Sequence, residues 1–473
     1  MASITFAGIA SGIDTEGLIK ATSAASRQTK VTPLQKRVQE LTDTNDALDT
    51  LTTRLLRLRT QVSKFGTLAG GPLEKSASTS DESILTAAAS RGTPSGSYEV
   101  SVSQIAKNGV FSFSDRWAES TAVIKSSINN NAPAADRTIQ IAVGLGTSQE
   151  IIDLELTDST TPADIVQAFN GKATKAVATL VNVGSPSSPS FALSFTATSE
   201  GTQEGTVALI TPTGSELSGG TSVLQSGTTQ NAADAEFSIS GISGTITRAT
   251  NTINDVVQGL SLNLRSIGTS TVTVRDNVTG STQLMRDFID RLNEVITFTN
   301  ESNQVTQEDQ KNERITNFGP LSSSSVDEGI VNALRSIISS TQAPSGSSVR
   351  VFADLGVTTQ RDGTLAFDET KFKSAVSKEP SSVETLLKKF SDATAPTGGT
   401  IDVYTRFNGL IDIVENSNKL SIDSANSRIA EAEKVISQAE EQARARFSRF
   451  ESLMGNLQSQ QSRLTSALAS LGR

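Results

Sequence analysis

The chain has 473 residues, and at about 150 residues per domain this length predicts roughly three domains. It contains no histidine and no cysteine, which excludes imidazole acid–base catalysis, zinc sites built on these ligands, and disulfides. The net charge of −9 and the aromatic content of 4% argue against nucleic-acid binding, which needs a basic surface and stacking side chains. No stretch approaches the ~20 apolar residues of a membrane span, and the first lysine is Lys20, so we expect neither membrane insertion nor a cleaved signal peptide.

Apolar residues recur every seven positions near the amino end. The repeat consists of Leu34, Leu41, Leu48, Leu55 and Val62, and Gly66 follows it. This spacing predicts a helix with a coiled-coil seam. We expect the seam to be buried by the other terminal helix and by neighbouring subunits.

A second seven-residue repeat runs to the carboxyl end. It consists of Ile422, Ile429, Ile436, Ala443, Phe450, Leu457, Leu464 and Leu471. Phe447, Met454 and Leu468 each lie four positions after a repeat residue and widen the apolar stripe. Because no proline occurs from Ile401 onward, the pattern predicts one long helix.

Between the repeats, residues 76–275 show short alternating strands and turns. Strands are predicted around residues 97–102, 138–141, 153–156, 192–196, 235–239 and 271–274. A short helix is predicted at residues 162–169, with Thr161 as its N-cap and Pro162 at its first position. We also predict a loop at the Ser/Gly/Thr-rich residues 214–231 and a short helix at residues 253–257.

Helical patterns return after Asp276. The Asp362-Gly363 pair predicts a hairpin turn, and Asp368 is expected to cap a helix that stops before Pro380. The polar residues 305–317 are predicted to form a mobile loop.

These patterns predict an α+β multidomain protein: a terminal α-helical coiled-coil or bundle stalk with a β-rich head of two inserted domains. Residues 1–40 are expected to be a flexible segment that joins the stalk. The predicted domains are residues 41–72 with 276–430 (stalk), 73–114 with 232–275 (β-rich head), 115–231 (inserted outer head) and 431–473 (carboxyl-terminal coiled coil).

No pattern of residues points to chemistry. Asp362, Gly363, Asp368 and Glu369 loosely suggest a calcium loop, but the Asp-x-Asp-x-Asp-Gly spacing is absent. Neither a phosphate-binding GxxxxGK[ST] loop nor a dinucleotide-binding GxGxxG turn occurs, and nothing singles out a catalytic pair among the 50 acidic residues. We therefore predict a protein that is not an enzyme and has no cofactor or metal.

Five blocks of the sequence resemble one family, the flagellar filament cap proteins of the FliD (hook-associated protein) family. They lie at residues 6–15, 96–106, 235–260, 354–380 and 446–464, in family order. The block Asp354-Leu-Gly-Val through Asp362-Gly-Thr-Leu to Phe367-Asp368 is the most specific of them. Residues 139–201 are also similar to a β-rich insert of flagellins and caps.

The resemblance implies a homo-oligomeric cap at the distal tip of the filament, which promotes insertion of exported flagellin. It further implies contacts with flagellin, with hook–filament junction proteins and with an export chaperone, and secretion by the flagellar type III pathway. The residues expected to form filament or subunit contacts are Gly12, Ile13, Asp14, Leu41, Leu48, Leu55, Phe447, Phe450, Met454, Leu457, Leu464, Leu468 and Leu471.

Two alternatives stay open at this point. Another axial flagellar protein, such as flagellin or a junction protein, also has paired terminal coils. An adhesin that binds surfaces through its head is the second alternative, and adhesion is also compatible with capping.

Overall fold

The structure is a computed structural model that describes residues 14–124, 128, 130–131, 133–210, 224, 226–310 and 313–471. The chain forms two compact units. The helical unit comprises Met1–Gly66 and Thr282–Arg473, and the β unit comprises Thr67–Ser281. The predicted α+β multidomain class is confirmed. No described helix is long and apolar enough to cross a membrane.

The chain begins with two helices, α1 (Thr15–Lys30) and α2 (Thr32–Ser63). The side chain of Asp14 caps α1 by accepting a hydrogen bond from Gly17 N at 2.8 Å. The predicted amino-terminal helix is thus confirmed, and it ends before Gly66. The expected flexibility of residues 1–40 is corrected for residues 15–40, because α1 and α2 are continuous helices and both contact other helices.

The β unit follows and contains short strands and two helices among its described residues. The strands are β1 (Lys75–Thr79), β2 (Leu85–Ala89), β3 (Gly96–Gln104), β4 (Val110–Phe113), β5 (Thr138–Val143), β6 (Glu150–Glu155), β7 (Ala176–Asn182), β8 (Phe191–Ala197), β9 (Val207–Ile210), β10 (Ser226–Gln230), β11 (Ala235–Ile239), β12 (Ile246–Arg248), β13 (Thr252–Val257), β14 (Leu260–Leu264) and β15 (Gly268–Asp276). The helices are α3 (Pro162–Asn170) and α4 (Thr202–Gly205). The predicted strands and the predicted Thr161 cap of α3 are confirmed.

Two separate apolar cores divide the β unit. The host subdomain (β1–β3 and β11–β15) holds the sheets β1-β15-β3-β11-β12 and β13-β14-β2 around residues that include Val100, Phe237 and Leu262. The inserted subdomain (β4–β10, α3 and α4) holds the sheets β10-β4-β8-β7 and β6-β5-β9 around residues that include Phe169 and Phe195.

The inserted subdomain begins earlier than the sequence predicts. Strand β4 pairs with β8 and β10, and its Phe111 and Phe113 belong to the inserted core. The boundary therefore lies near residue 110, and the predicted boundary at residue 115 is wrong. Within the predicted loop at residues 214–231, Ser226–Gln230 is a strand, and residues 214–223 and 225 lie outside the described residues.

The predicted helix at residues 253–257 is also wrong. This segment lies in strand β13, which pairs antiparallel with β14. Gly259, whose φ is +77°, provides the backbone conformation that the turn between the two strands needs. Strand pairing across this turn outweighs the local helical pattern.

The rest of the chain completes the helical unit. Its elements are α5 (Val278–Ser302), β16 (Val305–Gln310), β17 (Glu313–Phe318), α6 (Val326–Ser340), β18 (Val357–Thr359), β19 (Leu365–Phe367), α7 (Glu369–Lys378), α8 (Pro380–Thr394), α9 (Thr400–Thr405) and α10 (Leu410–Leu471). The predicted hairpin at Asp362-Gly363 and the Asp368 cap are confirmed. The predicted loop at residues 305–317 is instead the antiparallel β16–β17 hairpin.

Aromatic rings join the helices of this unit in its core. Phe65, at the end of α2, contacts Phe288 of α5 edge to face with ring centroids 5.5 Å apart. Phe288 contacts Phe390 of α8 in the same way at 5.2 Å. Such edge-to-face pairs add to the burial of the rings and fix α2, α5 and α8 relative to one another.

The long carboxyl-terminal helix is interrupted near its start. Asn408 has a φ of +54°, and α9 ends at Thr405 before α10 begins at Leu410. The prediction of one helix from Ile401 onward is therefore wrong for residues 406–409. Asn408 permits this break because asparagine tolerates the left-handed conformation better than most residues other than glycine.

Candidate interaction surface

The two terminal helices pack against each other in antiparallel directions. Near the start of α1, Glu16 Oε1 accepts a hydrogen bond from Arg444 Nη2 at 2.8 Å. Near its end, Arg27 Nε donates to Glu433 Oε2 at 2.9 Å. We call α1 and residues 433–447 of α10 the terminal helix pair.

The ion pairs of the terminal helix pair shift the pKa values of the side chains that form them. The pKa of Arg27 is raised, chiefly because its guanidinium donates to Glu433. The pKa of Glu440 is lowered, first by a hydrogen bond from the Ser23 hydroxyl and then by the nearby Arg27. The charged side chains of Arg27, Glu433 and Glu440 are partly exposed to solvent, and exposed pairs add little stability. They set the register of α1 on α10 more than they hold the two helices together.

Little apolar surface is buried between the two helices. The buried residues of α1 are Thr15, Ile19 and Ser23, and two of these are polar. An open groove of about 280 Å³ runs between α1 and α10, and its walls include Leu18, Val435 and Phe447. The contact between α1 and α10 is thus polar and incompletely packed.

The last part of α10 exposes a stripe of large apolar side chains. Its members are Phe450, Leu453, Leu457, Leu464 and Leu468, with exposed fractions from 43% to 67%. We call these five residues the tip stripe. Four of them lie on the predicted contact face, and an exposed apolar stripe of this extent is typical of a surface that binds another protein. No described residue covers it.

The remaining predicted contact residues fall in three places. Phe447 and Met454 are half-buried on α10, beside the tip stripe. Asp14 is exposed and caps α1. Gly12 and Ile13 lie outside the described residues, as does the side chain of Leu471.

Three predicted contact residues belong to the core of the chain itself. Leu48 and Leu55 have no exposed surface, and Leu41 is 6% exposed. Helix α2 packs along α10, as Asn418 Nδ2 shows by donating to Asn45 Oδ1 at 2.8 Å. The prediction that these leucines contact other subunits is therefore corrected, because a buried side chain has no surface left for a partner.

The most specific sequence block, residues 354–368, forms a docked hairpin. Asn293 of α5 exchanges two hydrogen bonds with the backbone of Leu365, at 2.8 and 2.7 Å. Arg335 of α6 donates to Gly363 O at 3.1 Å. Asn293 and Arg335 could not be recognised from the sequence, because each is simply a polar residue on a helix that also has an apolar face. This block therefore holds the hairpin against α5 and α6.

The loosely calcium-like residues do not form a metal site. Asp362 accepts hydrogen bonds from the backbone N and the hydroxyl of Thr364, at 3.0 and 2.7 Å. Asp368 caps α7. Across the described ranges of the chain, no group of three or more acidic side chains could hold a metal ion.

Helices with an exposed apolar stripe, joined by an inserted β unit, are typical of a protein that assembles with other chains. Comparison with known proteins gives the family. The family model described as the flagellar hook-associated protein 2 N-terminus matches residues 11–109, and that of the C-terminus matches residues 232–459. The chain belongs to the flagellar hook-associated protein 2 family, which confirms the resemblance.

Relatives and solved structures agree with this assignment. The A-type flagellar hook-associated protein 2 of Pseudomonas aeruginosa is 26% identical over 497 residues, which cover 99% of this chain and 98% of the relative. The flagellar hook-associated protein 2 of Escherichia coli K12 is 23% identical over 488 residues, with 98% of each chain covered. The crystal structure of the Escherichia coli flagellar cap protein FliD, domains D1-D2-D3, matches with a TM-score of 0.55 and 19% identity, covering 79% of this chain and 99% of that chain. That likeness shows a shared fold.

Proposed function

We propose that this chain caps the distal end of the bacterial flagellar filament as a homo-oligomer and promotes the insertion of exported flagellin. The tip stripe carries the proposal, since it is an apolar surface that no described residue of the chain covers. Full-length similarity to flagellar hook-associated protein 2 supports the same role. The protein then acts outside the cell at the filament tip, after export through the flagellar channel.

The composition of α10 suits contacts that must hold and then re-form. Burial of apolar surface stabilises a contact by about 25 cal/mol per Å². The early seam offers small side chains such as Ala425, Ala432 and Ala439, whereas the tip stripe offers bulky ones. Filament subunits would bind mainly at the tip stripe. Each leucine there would add a modest amount to the binding free energy, so the contact could break and re-form when the cap moves.

Partners outside the filament belong to the same proposal. An export chaperone would cover the apolar tip stripe before secretion, and junction proteins would offer the first binding surface at the hook. Both would use the exposed carboxyl-terminal part of α10.

The experiment changes two leucines of the tip stripe, Leu464→Asp with Leu468→Asp. Both are more than 60% exposed, so the fold tolerates the change. If the stripe binds filament subunits, each new carboxylate must be buried, which costs several kcal/mol per ion. Cells that carry this variant should secrete monomeric flagellin and build no filaments, as measured by electron microscopy and by flagellin in the medium.

The matched control places the same charges on the opposite face of α10. Ser462→Asp with Ser466→Asp keeps the spacing of four residues, and both serines are exposed. This variant should support filaments of normal length. Normal filaments in the leucine variant would refute both the binding surface and the capping role. Abundance of the protein along sheared filaments, where a cap is present only in traces, would favour another axial protein.

A further inference from the structure

Two linker segments, residues 105–109 and 231–234, connect the host and inserted subdomains of the β unit. They run side by side, because Lys107 N donates to Ala233 O at 2.8 Å and Ala233 N donates to Lys107 O at 3.1 Å. Two adjacent linkers without further contacts would act as a hinge, since rotation about the pair changes few dihedral angles. A third contact, away from the linkers, decides whether the joint moves.

The loop between β8 and α4 supplies that third contact from the inserted subdomain. Glu200 Oε2 accepts a hydrogen bond from Asn251 N of the host at 3.0 Å, and Glu200 Oε1 accepts one from Asn251 Nδ2 at 2.9 Å. The same Asn251 side chain bonds to both backbone groups of Ala106, at 2.8 and 2.9 Å. Glu200 is therefore tied to Asn251 in the host, and through Asn251 to Ala106 in the first linker. Hydrogen bonds to a carboxylate are stronger than those between neutral groups.

A second pair of hydrogen bonds lies two residues further along the chain, at the first residue of α4. Thr202 N donates to Asp234 Oδ1 at 2.7 Å, and Thr202 Oγ1 donates to Asp234 Oδ2 at 2.9 Å. Here the carboxylate belongs to the second linker, directly before β11, so this pair reinforces the bridge between the linkers.

Gly201 lies between these two contacts and lets the backbones approach. Its φ is +83°, and a Cβ atom at this position would lie 2.6 Å from Ala249 O and 2.7 Å from Ala249 Cβ. Gly201 N also donates to Lys107 O at 3.2 Å. Glycine is thus required both by the conformation and by the space.

We propose that residues 200–202 form a joint latch that fixes the inserted subdomain to the host subdomain as one rigid body. The two linkers define an axis, and the contact of Glu200 with Asn251, which lies between β12 and β13 and on neither linker, opposes rotation about it. The inserted subdomain then keeps one orientation through cycles of assembly.

The test measures the distance between two spin labels in the full chain by double electron–electron resonance. The chain has no cysteine, so Thr179→Cys on β7 and Asn263→Cys on β14 are the only labelled positions. Both residues are exposed. With the latch intact, we expect one narrow distance distribution. Glu200→Ala with Thr202→Val should widen it by about twofold or more, because the joint becomes a hinge.

The matched control removes a similar carboxylate that does not cross the joint. Glu150 accepts hydrogen bonds from Thr174 N and Lys175 N, both at 3.0 Å and within the inserted subdomain. Glu150→Ala should leave the distribution narrow. An unchanged width in the Glu200/Thr202 variant would overturn the proposal, as would equal widening in the control. If the double variant does not fold, Glu200→Gln decides, since loss of the charge alone should still widen the distribution.

Discussion

At the scale of single residues, two aspartates of the helical unit have opposite electrostatic environments. Asp327, in the first turn of α6, is fully buried, and Asn303 Nδ2 donates to its Oδ2 at 2.6 Å. Its Oδ1 has no hydrogen-bond partner among the described residues, and neither does the buried Oγ1 of Thr299. Burial therefore raises the pKa of Asp327. For the exposed Asp362, hydrogen bonds from Thr364 lower the pKa.

Asp327→Asn should stabilise the protein at pH 7. When the pKa of an aspartate is higher in the folded than in the unfolded state, the protein loses stability as the pH rises. The loss begins near the unfolded pKa of about 3.9 and is complete above the folded pKa. A neutral amide avoids this cost and keeps an oxygen for Asn303. The gain in the free energy of unfolding, measured by urea titration, should be present at pH 7 and shrink towards pH 3.5.

Asp362→Asn is the control of opposite sign. Because the folded pKa of Asp362 is lowered, its carboxylate stabilises the fold above the unfolded pKa, and this effect disappears as pH falls through the folded pKa. The variant should therefore be less stable at pH 7 and approach the parent in acid. If Asp327→Asn were less stable than the parent at pH 7, this would contradict the conclusion that the buried Asp327 carboxylate destabilises the fold.

At the scale of elements, strand β7 shows how an exposed sheet edge is protected. It is the last strand of its sheet, and its Val177 and Val181 are exposed. Asn170, the final residue of α3, donates from Nδ2 to Ala178 O at 3.0 Å and accepts from Ala178 N at 2.8 Å. The side-chain amide thus occupies the backbone groups that a strand of another molecule would use.

Asn170→Ala should make the protein self-associate through this edge. The uncovered Ala178 backbone and the neighbouring valines form a template for strand addition. Concentration-dependent growth in light scattering would show it. Gln167→Ala, an exposed position on the same helix, should remain unchanged, and a monodisperse Asn170→Ala protein would disprove the protective role.

Elements with local signals could be predicted from the sequence, and elements that depend on distant partners could not. The Thr161 cap predicts α3, and the leucine repeat predicts α2, because both signals lie within the element. Residues 253–257 form a strand only because β14 pairs with them. On the contact surface, periodicity identifies the stripe on α10 but does not reveal that Leu48 and Leu55 are covered by the chain itself.

At the scale of the whole molecule, the separate cores predict which segment can be removed. The host and inserted cores share no residue. The bridge between Lys107 and Ala233 holds the two linkers at the spacing of paired strands, so a short connection can replace the segment between them.

Deletion of residues 110–230, with a short Gly-Ser link, should leave a chain that unfolds cooperatively. A modest decrease in Tm is expected because Asn251 and Asp234 lose their partners in the joint latch. Calorimetry measures the transition, and its absence would show that the host subdomain needs the insert.

The comparison is deletion of residues 115–228, at the boundary close to the one that the sequence suggests. This variant retains β4, and Phe111 and Phe113 then lose the core that covers them. It should aggregate in light scattering. Equal solubility of the two deletions would place the boundary elsewhere.

Helix α10 extends far beyond the last side chain that it buries. Its 62 residues span about 93 Å at 1.5 Å per residue, and the last buried side chain described on it is Ile436. Helix α1 lies along α10 as far as Phe447, and from there to Leu468 is a lever arm of about 32 Å, so a tilt of about 5° at its base moves the end sideways by about 3 Å. Small angular changes near Phe447 are thus amplified at the tip stripe without melting any helical hydrogen bond. If the protein caps the filament as proposed, this helix can follow a binding site that shifts by a few ångströms each time a subunit is added.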